Sequence, residues 1–172
     1  MLFSTEPKRS LKDLFDREEE VKKLRNSLNE RMILLLGLRR IGKSSLVLST
    51  LNSTDVNFIF VDVRKVSDDV SKKVQAEKLY EEIYSSLLML SKKKRIKDIL
   101  LKLGFSLEYP VKIKFSIDET RSNINRIFEA LNELGKVVVF DETQYLRYST
   151  IVLRPILAHC YDYMRGITLV FT

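Results

Sequence analysis

The sequence predicts an α/β fold in which helices cover both faces of a parallel sheet, giving three layers. Three observations lead there. Runs at Met32–Leu36, Val56–Arg64, Val137–Phe140 and Ile167–Thr172 are almost continuously apolar, the pattern of strands buried on both faces. Between them the apolar residues return at helical spacing. The two patterns alternate along the chain, and such alternation builds a parallel sheet with right-handed crossovers. With 172 residues, 45% of them hydrophobic, the chain can bury one core and fits one domain spanning 1–172.

Leu11 to Arg31 reads as an extended lead-in and then a helix. Asp16 can cap it, Glu19 stands three residues on, and Val21, Leu24 and Leu28 share one face. Met32–Leu36 is the first strand and ends at Gly37; Lys43 to Leu51 is helical through Leu46, Val47 and Leu51. The β-branched and aromatic "VNFIFVDVR" is the second strand, followed by a polar loop from Lys65 to Asp69. Val74, Leu79, Ile83, Leu87 and Leu90 predict a long helix. Ser91 can cap another, built on Ile96, Ile99, Leu100 and Leu103 and stopped by Gly104. Phe105 to Ile117 alternates like a strand, but Pro110 removes a ladder donor, which predicts an irregular edge hairpin or an extended insertion. Asp118 can cap a helix running through Ile124, Ile127, Phe128, Leu131 and Leu134 to Gly135. "KVVVFDE" is the third strand and carries two acids at its end. A helix built on Ile156, Leu157, Tyr161 and Met164 follows Pro155 and stops at Gly166, and "ITLVFT" is the fourth strand.

Two of the five glycines bracket a short segment, Gly37-Leu-Arg-Arg-Ile-Gly42-Lys43-Ser44, which is G-x-x-x-x-G-K-[ST]. In that phosphate loop the glycines let successive N–H groups turn inward around an anion, and the next helix aims its positive end at the same place. Gly37, Arg39, Arg40, Ile41, Gly42, Lys43, Ser44 and Ser45 form the candidate phosphate-binding set. Within it Lys43 can reach β and γ phosphates and the Ser44 hydroxyl can ligate Mg²⁺. Arg39 and Arg40 fit a role in steering a triphosphate or touching a neighbouring subunit, and equally fit plain solvent exposure. Asp141 leaves the third strand at its C-terminal end, where open α/β sheets place ligands, so its carboxylate is a candidate metal holder. Glu142 beside it is placed to polarise an attacking water. Gln144 is a candidate for orienting that water or sensing a γ-phosphate.

Other signals are weaker. Lys and Arg outnumber Asp and Glu 30 to 23, a net charge of +7 that favours polyanions in general. "SKKKRIK" at Ser91–Lys97 reads as a solvated helix face more readily than as a nucleic-acid contact. His159 and Cys160 lack metal-site partners and are expected to pack against the sheet. No apolar run approaches the roughly 20 residues of a membrane span. A lone cysteine and the absence of a secretory pattern in "MLFSTEPKRS" suggest the cytoplasm. Arg147 and Arg154 are candidates for an arginine finger in an oligomer, and no N-K-x-D motif for guanine is present.

"LFDREEEVKKL", "GLRRIGKSSL", "VVVFDETQYL" and "YDYMRGITLVFT" together resemble the archaeal ATPase family, P-loop ATPases related to AAA+ and to the signal-transduction ATPases with numerous domains. The resemblance implies bound ATP and Mg²⁺, a sheet ordered 5-1-4-3-2, and a Phe15–Glu18 region near the adenine. On it Lys43 and Ser44 take the triphosphate and metal, Asp141 takes metal, Glu142 is the catalytic base, and Arg17 lies at the nucleotide; Arg17 and Glu18 equally fit an ordinary helix start. In relatives the strand resembling "ITLVFT" runs on into a Gly-Ser sensor, a fifth strand, a helical lid and a winged-helix domain. Their absence here predicts a fragment, or another chain or copy covering the first strand's edge. The resemblance also leaves open an ATP-gated DNA-binding module, with DNA as partner through the winged helix, or a nucleotide-holding interaction domain without hydrolysis.

Overall fold

The computed structural model describes residues 6–68, 71, 73–90, 94–102, 117–150 and 152–172. Four strands, β1 (Met32–Leu34), β2 (Phe58–Asp62), β3 (Val137–Asp141) and β4 (Thr168–Phe171), form one sheet in the order β1-β4-β3-β2. Every pairing is parallel, with Leu34 opposite Phe171, Phe140 opposite Phe171, and Asp62 opposite Asp141. The order is that of the expected arrangement over its first four strands.

Side-chain alternation along the strands divides the interior into two layers. On one face Val137, Val139 and Val170 meet α1 (Glu18–Ser27) through Val21 and Leu24, and α2 (Lys43–Asn52) through Leu46, Val47 and Leu51. On the other, Ile59, Val61, Val138, Phe140, Leu169 and Phe171 meet α3 (Ala76–Leu90), α4 (Lys94–Lys102), α5 (Ile117–Leu134) and α6 (Arg154–Tyr163). β3 is buried at all five positions because it lies inside the sheet with helices above and below. Phe140 stacks on Phe171 at 5.6 Å between ring centroids and tilts against Phe128 of α5.

Several local expectations are corrected. α1 starts at Glu18 with Arg17 at its N-cap and no side-chain cap; Asp16 instead sits in a left-handed conformation (φ 53). The lead-in holds a 3₁₀ turn at Leu11–Asp13 capped by the Ser10 hydroxyl, and Val63–Val66 is a second such turn, where the loop was expected to begin at Lys65. Val74 lies ahead of α3, bridged to Ser67 and Ser149. α5 begins at Ile117, so Asp118 is inside the helix and does not precede it as a cap. The expected cap at Ser91, the stop at Gly104 and the alternating stretch 105–116 lie outside the described residues. β1 is not covered on both faces. As the edge strand it leaves Met32 and Leu34 exposed, at 40% and 61%, while Ile33 packs against the α1–α2 layer.

The turn from α5 into β3 is tight. Gly135 (φ 60) donates to Asn132 O at 3.2 Å and Lys136 donates to Leu131 O at 3.2 Å, the paired bonds of a Schellman ending. The Asn132 side chain reaches across to accept from Gly166 N at 2.6 Å, which ties the end of α5 to the approach of β4.

On α6, Cys160 is buried, as expected, and burial pushes its thiol up to about 12. His159 is exposed and tilts against Tyr163 at 5.0 Å between ring centroids, a correction to its expected packing on the sheet. The reason is phase: one residue short of Cys160 is about 100° round the helix from the buried line. Iodoacetamide at pH 8 is therefore expected to leave Cys160 unmodified in the folded protein and to alkylate it in urea. Prompt labelling without denaturant would contradict that burial.

Candidate functional site

The site lies at the C-terminal ends of the strands, where β1, β3 and β4 each deliver a loop or a side chain. Between Leu34 and Lys43 the backbone turns through left-handed conformations at Arg40 (φ 65) and Gly42 (φ 86, ψ 24). Such residues belong to the backbone from which anion nests are made. A Cβ on Gly42 would meet nothing within 4 Å, so glycine is needed there for its dihedral and not for room. Arg40 holds a similar φ with a side chain, at a cost of order 1 kcal/mol. Gly42 is also the N-cap of α2 and supplies no capping side chain, which leaves the positive end of that helix facing the loop. Leu46, Val47, Leu48 and Leu51 are buried, so α2 holds this terminus rigidly against the sheet.

Lys43 Nζ folds back over the loop and donates to Gly37 O at 3.3 Å and Leu38 O at 3.1 Å. Ser44 Oγ reaches Asp141, lying 2.9 Å from Oδ1 and 2.8 Å from Oδ2. Asp141 is 5% exposed, and its carboxylate also accepts from Thr172 Oγ1. Two residues 97 apart in sequence thus meet at the mouth of the loop. Hydroxyl and carboxylate oxygens suit a hard divalent cation such as Mg²⁺, and this pair is already close enough to share one.

Glu142 follows in a left-handed conformation (φ 57, ψ 44) at the start of a 3₁₀ turn over Thr143–Tyr148. Gln144 Nε2 donates to Glu142 Oε2, so the glutamine holds the carboxylate. Arg17 reaches the loop from the N-terminal side: Nη2 donates to Ile41 O at 2.8 Å while Nη1 pairs with Glu20 at 3.0 Å. Beside it lies a cleft of about 500 Å³ lined by Leu11, Leu14, Arg17, Val21 and Arg25. Ser45 turns away, its hydroxyl accepting from Lys8 N at 3.0 Å. Arg39 is exposed, as are Arg147, lying over the Tyr148 ring at 4.5 Å, and Arg154. Asp62, opposite Asp141, caps a turn by accepting from Arg64 N at 3.1 Å.

The structure therefore gathers Gly42, Lys43, Ser44, Asp141, Glu142 and Gln144 into one locus and brings Arg17 in through Ile41. It leaves the Ser45 hydroxyl on the N-terminal segment. Two residues went unnoticed in the sequence, Thr143 and Thr172. The signal for Thr172 was a hydroxyl residue closing a largely apolar strand, and Thr143 carried none. A larger groove, about 640 Å³, is lined by Met32, Leu146, Val152, Leu157 and Tyr161 and includes no phosphate-loop residue. Among the described residues no helix is long and apolar enough to cross a membrane.

A family model described as an ATPase domain predominantly from Archaea matches residues 14–166. Among solved structures, a Walker-type ATPase of Pyrococcus abyssi is similar, at 33% identity and a TM-score of 0.73, over all of this chain and 49% of that one. The present chain thus spans about half the length of that protein. No curated protein matches the sequence.

Proposed function

The chain belongs to the ATPase domain family found predominantly in Archaea, and from that starting point we propose that it binds ATP with Mg²⁺ and hydrolyses it to reset a conformational switch. The observation that carries this reading is the contact between Ser44 and Asp141, at 2.8 and 2.9 Å, beside the positive end of α2.

Ser44 and Asp141 would hold the ion between them. Magnesium, when bound, draws negative charge from the β and γ oxygens. Lys43 leaves the carbonyls of Gly37 and Leu38 for the phosphates, exchanging two neutral acceptors for charged ones and so gaining stronger hydrogen bonds. The N–H groups of the loop and of the first turn of α2 bind the remaining phosphate oxygens. Glu142 accepts a proton from the attacking water, and Gln144 fixes which way that carboxylate points. Arg17 braces the loop at Ile41, and the cleft beside it is the candidate seat for the base.

Lys43→Ala tests the binding half. ATP affinity, followed by calorimetry, is expected to fall by about 10- to 100-fold, the loss of a charged hydrogen-bond donor to phosphate. Affinity equal to the parent's would remove the phosphate-loop assignment.

A further inference from the structure

At the end of β4, Thr172 is 8% exposed, and its N–H, carbonyl oxygen and hydroxyl each have a partner among the site's own elements. Its N–H donates to Phe140 O at 3.1 Å. Its carbonyl accepts from Thr143 N at 3.1 Å and from Thr143 Oγ1 at 2.8 Å. Its hydroxyl donates to Asp141 Oδ1. A hydroxyl has one proton to give, and this one is given to the buried acid. We propose that Thr172, clamped by Thr143, is a positioning residue that fixes the Asp141 carboxylate for the metal. The proposal rests on the nucleotide reading above and extends it to residues which that reading does not use.

Asp141 Oδ1 accepts from Thr172, while the single proton of the Ser44 hydroxyl is shared between Oδ1 at 2.9 Å and Oδ2 at 2.8 Å. If Ser44 turns to a cation, the bond from Thr172 is the one that persists, so the carboxylate keeps its plane and presents Oδ2. Threonine suits this task because branching at Cβ restricts χ1, while the clamp on its carbonyl and N–H fixes the backbone beneath it. Partners that orient a metal-binding carboxylate typically contribute 10- to 100-fold in metal affinity or activity. The same clamp bears on Glu142. Thr143, the next residue, is held at both its N–H and its hydroxyl, so the left-handed turn at Glu142 is anchored to β4 on its C-terminal side and to β3 through Asp141.

The test uses the full chain with ATP and Mn²⁺ as the probe ion, reading free Mn²⁺ by electron paramagnetic resonance. ATP affinity is measured separately in EDTA, and circular dichroism checks the fold. Thr172→Val is expected to weaken Mn²⁺ binding in the ATP complex by about 10-fold, with metal-free ATP affinity unchanged; Thr172→Ser is expected to restore it. Thr143→Val, which removes only the hydroxyl clamp, is expected to shift Mn²⁺ affinity in the same direction, and it carries the test should Thr172→Val not fold. Parental Mn²⁺ affinity in Thr172→Val, or in Thr143→Val where that variant stands in, overturns the proposal, as does failure of Thr172→Ser to restore binding. A parent chain that takes up no Mn²⁺ with ATP overturns the nucleotide reading as well, and so the two failures are distinguishable.

Discussion

Glu142→Gln is expected to keep ATP bound while turnover falls by about 10²- to 10⁴-fold, the usual contribution of a positioned general base. The substitution keeps the size of the side chain and its hydrogen-bonding ability but removes the carboxylate proposed above to take a proton from water. Its backbone makes the position unusual: a non-glycine residue at φ 57 and ψ 44 costs of order 1 kcal/mol. The bonds from Thr143 to Thr172 hold it there. Phosphate release and ATP affinity, measured side by side, separate the two effects. Hydrolysis at the parental rate would move the base to another group and leave the phosphate loop untouched, whereas lost affinity would mean that Glu142 contributes to binding.

Gly166→Ala is expected to destabilise the fold by about 3 kcal/mol, at the upper end of ordinary overpacking, which for a chain of this size lowers Tm by roughly 10 °C. The methyl carbon would fall 2.1 Å from Asn132 O and 3.1 Å from Asn132 C. Those are main-chain atoms in the last turn of α5, so no side-chain rotation relieves the overlap. Relief requires separating α5 from the start of β4, and with it the 2.6 Å bond from Gly166 N to the Asn132 side chain. Thermal unfolding by circular dichroism reads the effect; an unchanged Tm would mean that the approach is looser than described.

How much of this was legible in advance varied with the kind of cause. The phosphate loop and the acidic strand end could be read directly, because their glycines, lysine, serine and aspartate sit at spacings set by main-chain geometry. The strand order could not be read from the residues. Periodicity says which segments are strands and not which are neighbours, so the order rested on family resemblance. Burial of β1 was misread for a related reason: Met32–Leu36 is as apolar as an inner strand, yet edge position depends on what lies alongside. His159 was misplaced by a single step of helical phase. Thr172 looks like any β-branched residue in a strand, and its role emerges only when Asp141 and Thr143 close around it. Gly166 was read as a helix stop; the carbonyl that demands glycine there lies 34 positions away in sequence.

In the sheet order β1-β4-β3-β2, the strand feeding the phosphate loop and the strand feeding the acids are separated by one other. Their separation is therefore gauged by two ladders of peptide hydrogen bonds, about 10 Å in all, and not by the fit of any side chain. Substitutions in the apolar layers can soften the molecule without changing that width, and the tolerances of the candidate site are in this sense insulated from drift in the interior.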